Sequence, residues 1–307
     1  RGHLYLVDGS AYIFRAYHAL PPLTRKSDGL PIGAVSGFCN MLSKLVDDVR
    51  DDGEVDYFAV IFDAARKTFR NDIYPEYKAH RPPAPEDLVP QFPLVKRASE
   101  AFNLATIEMP GFEADDIIAT YARLAREAGM AVTIVSSDKD LMQLVGDGVV
   151  MHDPMKQRLI GPDQVQEKFG VGPNRVIDVQ ALCGDATDNV PGVPGIGIKT
   201  AALLINEYGD LDGVLARAEE IKQPKRRQSL IDHADLARVS RELVTLKDDV
   251  PLETSLDDLG LREPEAEVLL GFMAEMGLER LAGRIAQRLG GSLPAAPETA
   301  AASEAAP

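Results

Sequence analysis

The chain has 307 residues, 45% of them apolar and 26% charged, with a formal net charge of −15 and a pI of about 4.8. This is the composition of a globular protein with one large core or two ordinary domains, and no run reaches the roughly 18 apolar residues of a membrane-spanning helix. The acidity argues in bulk against a nucleic-acid partner, since phosphate binding is driven by positive charge, but charge has to be read locally, and carboxylates filled with divalent metal no longer count as negative.

HLYLVD opens the chain as a buried strand, with no charged and then apolar leader before it. A cytoplasmic, reducing setting is therefore expected, with Cys39 and Cys183 as free thiols. Further strands are expected in VDYFAVIFDA, NLATIEMP and AVTIVSSD, all short and rich in β-branched or aromatic residues. Between them, AVSGFCNMLSKLVDDV and EADDIIATYARLAREAG carry apolar residues at helical spacing. This alternation predicts an α/β fold, a mainly parallel sheet flanked by helices. From about residue 162 the strand patterns stop, and short helices broken by Gly and Pro follow, an all-α region. The last stretch, GGSLPAAPETAAASEAAP, reads as a disordered Ala/Pro linker.

In open parallel sheets, ligands bind beyond the carboxyl ends of the strands. Asp8, Asp63, Asp138 and Asp140 follow such ends, and Glu113, Asp115 and Asp116 open a helix just after the third strand. Asp185 and Asp188, three apart, share one face of a turn. Caps account for any one of these acids, but not for acids after four successive strands. Two unit charges about 4 Å apart repel by roughly 4 kcal/mol at an effective dielectric near 20. Hard divalent cations, Mg²⁺ or Mn²⁺, are the expected compensation, since the five histidines are scattered and form no zinc pattern. So many acids suggest two ions, the arrangement suited to in-line attack on a phosphodiester.

Just downstream of Asp185 and Asp188, GVPGIGIKTA places Gly192, Gly195, Gly197 and Lys199 at a tight turn entering a helix. It resembles a helix-hairpin-helix, in which backbone amides and a lysine grip a phosphate. Residues 66–81 hold five Lys or Arg against two acids, interleaved with Phe69, Tyr74 and Tyr77. Cations with aromatics suit a single strand, and so long a connection suits a lid or binding loop.

YLVDGSAYIFRAY, FDAARKTFR, YPEYKAHR, GFEADDIIAT, VSSDKDLMQLV and GDATDNVPGVPGIGIKTA together resemble, in content and order, the motifs of the 5'-nuclease (flap endonuclease) superfamily. The likeness is greatest to the 5'-3' exonuclease domains fused to bacterial polymerases. It implies a PIN-like catalytic domain over 1–170 with a helical arch at about 70–95. A helix-three-turn-helix DNA-binding domain over 171–290 would follow, then the linker over 291–307 leading into a polymerase body. The family's metal ligands fall on Asp8, Asp63, Glu113, Asp115, Asp116, Asp138, Asp140, Asp185 and Asp188. Lys78 and Arg81 match arch cations at the scissile phosphate, Tyr77 a stacking tyrosine, and Arg70 a further DNA contact. Lys78, Arg81, Asp115 and Asp138 are the expected catalytic residues, and K⁺ is expected at the hairpin turn.

The implied activity is metal-dependent cleavage of DNA bearing a 5' flap or nick, and of RNA primer–DNA junctions, by a monomer without membrane attachment. The alternatives are a DNA-binding module that cuts nothing and a PIN-type ribonuclease.

Overall fold

The structure, a computed structural model, describes residues 2–293. Most of the expected linker, residues 294–307, lies outside them. In chain order the first part runs β1 (His3–Asp8), α1 (Gly9–Ala19), α2 (Gly33–Asp52), β2 (Tyr57–Ile61), α3 (Phe69–Ile73), α4 (Phe92–Ala101), β3 (Ala105–Ile107), α5 (Ala114–Glu127), β4 (Ala131–Val135), β5 (Val149–Asp153) and β6 (Arg158–Ile160). Helices follow: α6 (Pro162–Phe169), α7 (Val176–Cys183), α8 (Ile198–Tyr208), α9 (Leu211–Ala216), α10 (Pro224–Asp232), α11 (Ala234–Val244), α12 (Ala266–Glu275) and α13 (Glu279–Leu289).

The six strands form one sheet in the order β3-β2-β1-β4-β5-β6, parallel except for the β5–β6 pair. The expected strands are β1 to β4. β5 and β6 were not anticipated; β6 is three residues long with two of them exposed, and too short to carry a period. Leu4, Leu6 and Val7 of β1 are fully buried, as a central parallel strand requires when both its faces are covered. α5 packs against β1, β2 and β4, burying Ile117, Ile118 and Tyr121 in the main core.

Register decides where the acids go. Asp8 pairs with Ile61 on β2, and Val7 with Val135 on β4. Asp63 and Ser136 therefore leave the sheet on either side of Asp8. Because β1 lies between β2 and β4, the chain departs in opposite directions there, and a crevice opens at the strand ends.

The chain divides into two compact units. One comprises Arg1–Tyr12, Val49–Ala84 and Ala105–Leu261, and holds the whole sheet, helices α5 to α11 and all nine acids singled out above. The boundary expected near residue 170 falls inside it. The other comprises Ile13–Asp48, Pro85–Leu104 and the chain from Arg262. Within it α4 packs against α12, Arg97 pairs with Glu275 at 2.8 Å, and Arg288 pairs with Asp47 at 3.1 Å. In the range expected for the arch, helix is confined to α3, a 3-10 turn at Val89–Gln91 and the start of α4. Residues 74–88 run as turns and irregular chain.

The turn between α7 and α8 depends on glycine. Gly192 has φ of +59°, and a Cβ there would run into the backbone of Cys183 and Gly184. Its buried N–H donates to Ser240 Oγ on α11 at 2.9 Å. Gly192→Ala should lower the unfolding free energy by more than about 2 kcal/mol. Chemical denaturation measures this, and a variant as stable as the parent would show that the turn absorbs a side chain.

Candidate active site

Two groups of carboxylates form at the sheet's carboxyl edge. Asp8, Asp115 and Asp138 each offer an oxygen, all within 4.8 Å of one another, and Asp140, Asp185 and Asp188 do the same. Oxygens about 2.1 Å from a shared Mg²⁺ stand about 3 to 4.2 Å apart in an octahedron, so each trio could hold a hard cation with a small inward movement of its side chains.

Local bonds aim these side chains. Asp8 Oδ1 accepts from the Ala11 N–H at 3.1 Å and Oδ2 from the Ser136 hydroxyl at 2.9 Å. The Ser136 oxygen in turn accepts from the Asp138 N–H at 3.1 Å. Asp138 caps the 3-10 turn Lys139–Leu144 by accepting from the Asp140 N–H at 2.9 Å. Gln180 on α7 donates to Asp140 Oδ1 at 2.6 Å. Asp185 accepts from the Thr187 N–H at 2.9 Å, closing the loop that carries Asp188.

Cations sit around this cluster but not in its middle. Lys139 pairs with Asp185 at 3.0 Å, Arg81 with Asp188, and Lys78 with Glu113. Among the described residues no Lys or Arg forms an ion pair with Asp8, Asp115, Asp138 or Asp140. Burial, then repulsion from Asp138, pushes Asp8 and Asp140 up to about 7. Burial, with Asp138 and Asp8 next, raises Asp115 well above the ordinary carboxylate range, and burial likewise raises Asp138. Glu113 goes the other way: burial would raise it, but Lys78 and Arg70 hold it below its usual value.

Three expected metal ligands lie outside the trios. Asp63 is exposed and accepts from the Ala114 N–H at 2.7 Å. Glu113 is bound by Arg70 and Lys78 and accepts from the Tyr77 hydroxyl at 3.0 Å. Asp116 is fully buried in a two-pronged pair with Arg70.

Three expected DNA contacts are buried instead: Arg70, Tyr77 and Gly192, whose N–H is spent on Ser240. Arg70 is 1% exposed, and all five of its N–H donors are taken: by Leu243 and Thr245 carbonyls, by Glu113 and twice by Asp116. Tyr77 is 6% exposed, packed with Val190, Leu243 and Val244, so no ring face is offered for stacking. Sequence periodicity gave no sign that this basic stretch turns inward. By contrast Lys78 and Arg81 remain partly exposed, and Gly195, Gly197 and Lys199 are exposed at the hairpin turn. Ser136, Lys139 and Gln180 were not anticipated. Lys139, set between two of the acids, was the one with a visible signal.

Residues 3–170 match the family described as 5'-3' exonuclease, N-terminal resolvase-like domain, and residues 171–267 the 5'-3' exonuclease, C-terminal SAM fold. The chain belongs to the 5'-3' exonuclease family. It is 38% identical over 278 residues to the 5'-3' exonuclease of Aquifex aeolicus, covering 91% of this chain and 93% of that one. It is 59% identical over 288 residues to DNA polymerase I of Rhizobium leguminosarum, covering 93% of this chain but 28% of the polymerase. The bacteriophage T5 flap endonuclease, solved as a pseudo-enzyme-product complex with DNA and metal ions, shares the fold. Its TM-score is 0.66 at 23% identity, over 93% of this chain and 98% of that one. Among the described residues no helix is long and apolar enough to cross a membrane.

The raised carboxyls fix a pH dependence. A carboxyl whose folded pKa lies above its unfolded 3.8 binds more protons folded than unfolded between the two values, so stability falls as pH rises through that window. His3, lowered by burial, opposes this but is outnumbered by the raised carboxyls, Asp178 included. The metal-free protein should therefore lose melting temperature from about pH 5 to about pH 7.5. Asp140→Asn should flatten the trend. A melting temperature that climbs through this range in the parent would contradict the assigned burial.

Proposed function

We propose that the chain is a divalent-metal-dependent, structure-specific 5'-3' exonuclease and 5'-flap endonuclease acting on branched or nicked DNA and on RNA primer–DNA junctions. The observation that carries this reading is the pair of acidic trios whose central members have no cationic partner. Asp8, Asp115 and Asp138 would hold one Mg²⁺ or Mn²⁺, and Asp140, Asp185 and Asp188 the other. Divalent cations there would supply the Lewis acidity that phosphodiester hydrolysis requires, activating water and screening charge on the phosphoryl oxygens.

The chain's own residues do the rest. Lys78 and Arg81, which reach the acidic edge from one short segment, exchange Glu113 and Asp188 for the scissile phosphate and stabilise its developing charge. Asp115 and Asp138 complete with Asp8 the trio that would fix the reacting geometry. Gly195, Gly197 and Lys199 grip the duplex backbone without reading sequence, with K⁺ as a ligand of the turn. Hydrolysis leaves a 5'-phosphate and a 3'-hydroxyl. Residues 1–170 are the catalytic domain, its second acidic trio completed by Asp185 and Asp188 from the duplex-gripping domain over 171–290. In the longer relative such a chain precedes a polymerase, and we propose the same setting here, in a cytoplasmic monomer.

A labelled 5'-flap DNA incubated with Mg²⁺, with and without EDTA, tests the reading. EDTA-sensitive release of the flap supports it; binding without cutting leaves a DNA-binding module, and cutting of RNA alone a ribonuclease. Asp138→Ala should lower kcat well over roughly 100-fold while flap affinity stays near that of the parent; full activity would remove Asp138 from the machinery. Lys78→Ala should lower single-turnover cleavage by about 10²- to 10³-fold. A loss confined to binding would leave Lys78 as a positioning contact for DNA.

A further inference from the structure

Arg70 and Asp116 form the most deeply buried charge pair of the chain's first unit, at 1% and 0% exposure. Asp116 Oδ1 accepts from Arg70 at 2.7 Å and from the Lys247 N–H at 2.9 Å. Oδ2 accepts from Arg70 at 2.8 Å and from the Glu113 N–H at 3.0 Å. Two donors on each oxygen use the lone pairs a carboxylate has to offer, so nothing remains for a cation. Arg70 is equally committed, with five N–H groups spent on protein acceptors and its plane over the Phe69 ring at 4.5 Å.

The pair sits where aim matters. Asp115 and Asp116 are consecutive on the first turn of α5, and neighbouring helical side chains point about 100° apart. Holding Asp116 inward therefore sets where Asp115 points. Helix ends are where backbone bonds run out and where helices loosen first, so this turn needs an external brace. The brace is itself fixed to the end of α11, where the Leu243 carbonyl and that of Thr245 just past it bind Arg70, and Ser240 of the same helix accepts from the Gly192 N–H of the hairpin turn. We infer that Arg70 is a positioning residue: gripping Asp116 with both prongs and the end of α11 with its remaining donors, it fixes the first turn of α5 so that Asp115 meets Asp8 and Asp138. This rests on the metal-site reading above, and it makes Asp116 a partner of Arg70 in place of a ligand.

The test uses the full chain and Mn²⁺ alone. Mn²⁺ affinity is measured calorimetrically for the parent, Arg70→Lys, Asp116→Asn and the double variant Arg70→Met/Asp116→Met, with circular dichroism to confirm folding and flap cleavage to give kcat and KM. Each single substitution should weaken Mn²⁺ binding roughly tenfold or more, as loss of a group that orients a ligand does. It should lower kcat and leave KM for DNA unchanged. Lysine does not rescue, because it lacks the planar fork. The double methionine variant should lose no more Mn²⁺ affinity than either single variant, since each single change already breaks the same contact. Should a single variant fail to fold, the double, which leaves no unpaired charge inside, carries the comparison.

Several results would overturn the inference. Wild-type Mn²⁺ affinity in folded variants with lowered melting temperatures would assign the pair to stability alone. Loss in Asp116→Asn with none in Arg70→Lys would make Asp116 a ligand. A higher KM with unchanged Mn²⁺ affinity would make Arg70 a DNA contact. A parent chain that binds no Mn²⁺ would overturn the metal-site reading itself, and this inference with it.

Discussion

Repulsion between carboxylates is the constraint that the first unit is built to withstand. Six acids crowd the carboxyl edge of one sheet, and among the described residues four of them form no ion pair with Lys or Arg. At separations near 4 Å each uncompensated pair costs roughly 4 kcal/mol at an effective dielectric of about 20, against a total stability of about 5 to 15 kcal/mol for a typical domain. Such a cluster survives only on a frame that does not yield. Here that frame is a parallel sheet whose central strand is buried on both faces, with α5 locked across three of its strands.

The charges present are distributed, and the distribution has chemical consequences. Lys139, Arg81 and Lys78 bind the outer acids, while neutral donors from Ser136 and Gln180 orient the inner ones. Neutral donors hold an oxygen in place without cancelling its charge, so the attraction for a hard cation survives. On the proposed reading, the peripheral cations trade a carboxylate for a phosphate when substrate arrives. A net charge of −15 is then no obstacle to binding nucleic acid, because the field that matters belongs to the filled site.

Much of this was legible in the sequence. Strand ends carrying Asp8, Asp63 and Asp138 predicted convergence at one edge, and the register of β1 with β2 and β4 delivers it. Six of the nine acids meet in trios. What could not be read was which acids were already spoken for. Glu113 and Asp116 look like ligands by spacing, but a buried arginine from a distant segment takes both. The same arginine looked like a DNA contact because a cation in a basic stretch gives no sign of direction. Tyr77 misled for the same reason. β5 and β6 escaped because pairing with an existing sheet edge, not intrinsic periodicity, makes them strands. Long-range pairing is what short-range patterns omit.

If the two trios are cation sites, bound metal must appear at both. Crystals of the protein grown or soaked in Mn²⁺ and measured at the manganese edge test it most directly. Two anomalous peaks are predicted, one among Asp8, Asp115 and Asp138 and one among Asp140, Asp185 and Asp188, with none at Asp116. A map with no peak at this edge, or with peaks only at exposed acids elsewhere, would contradict the account.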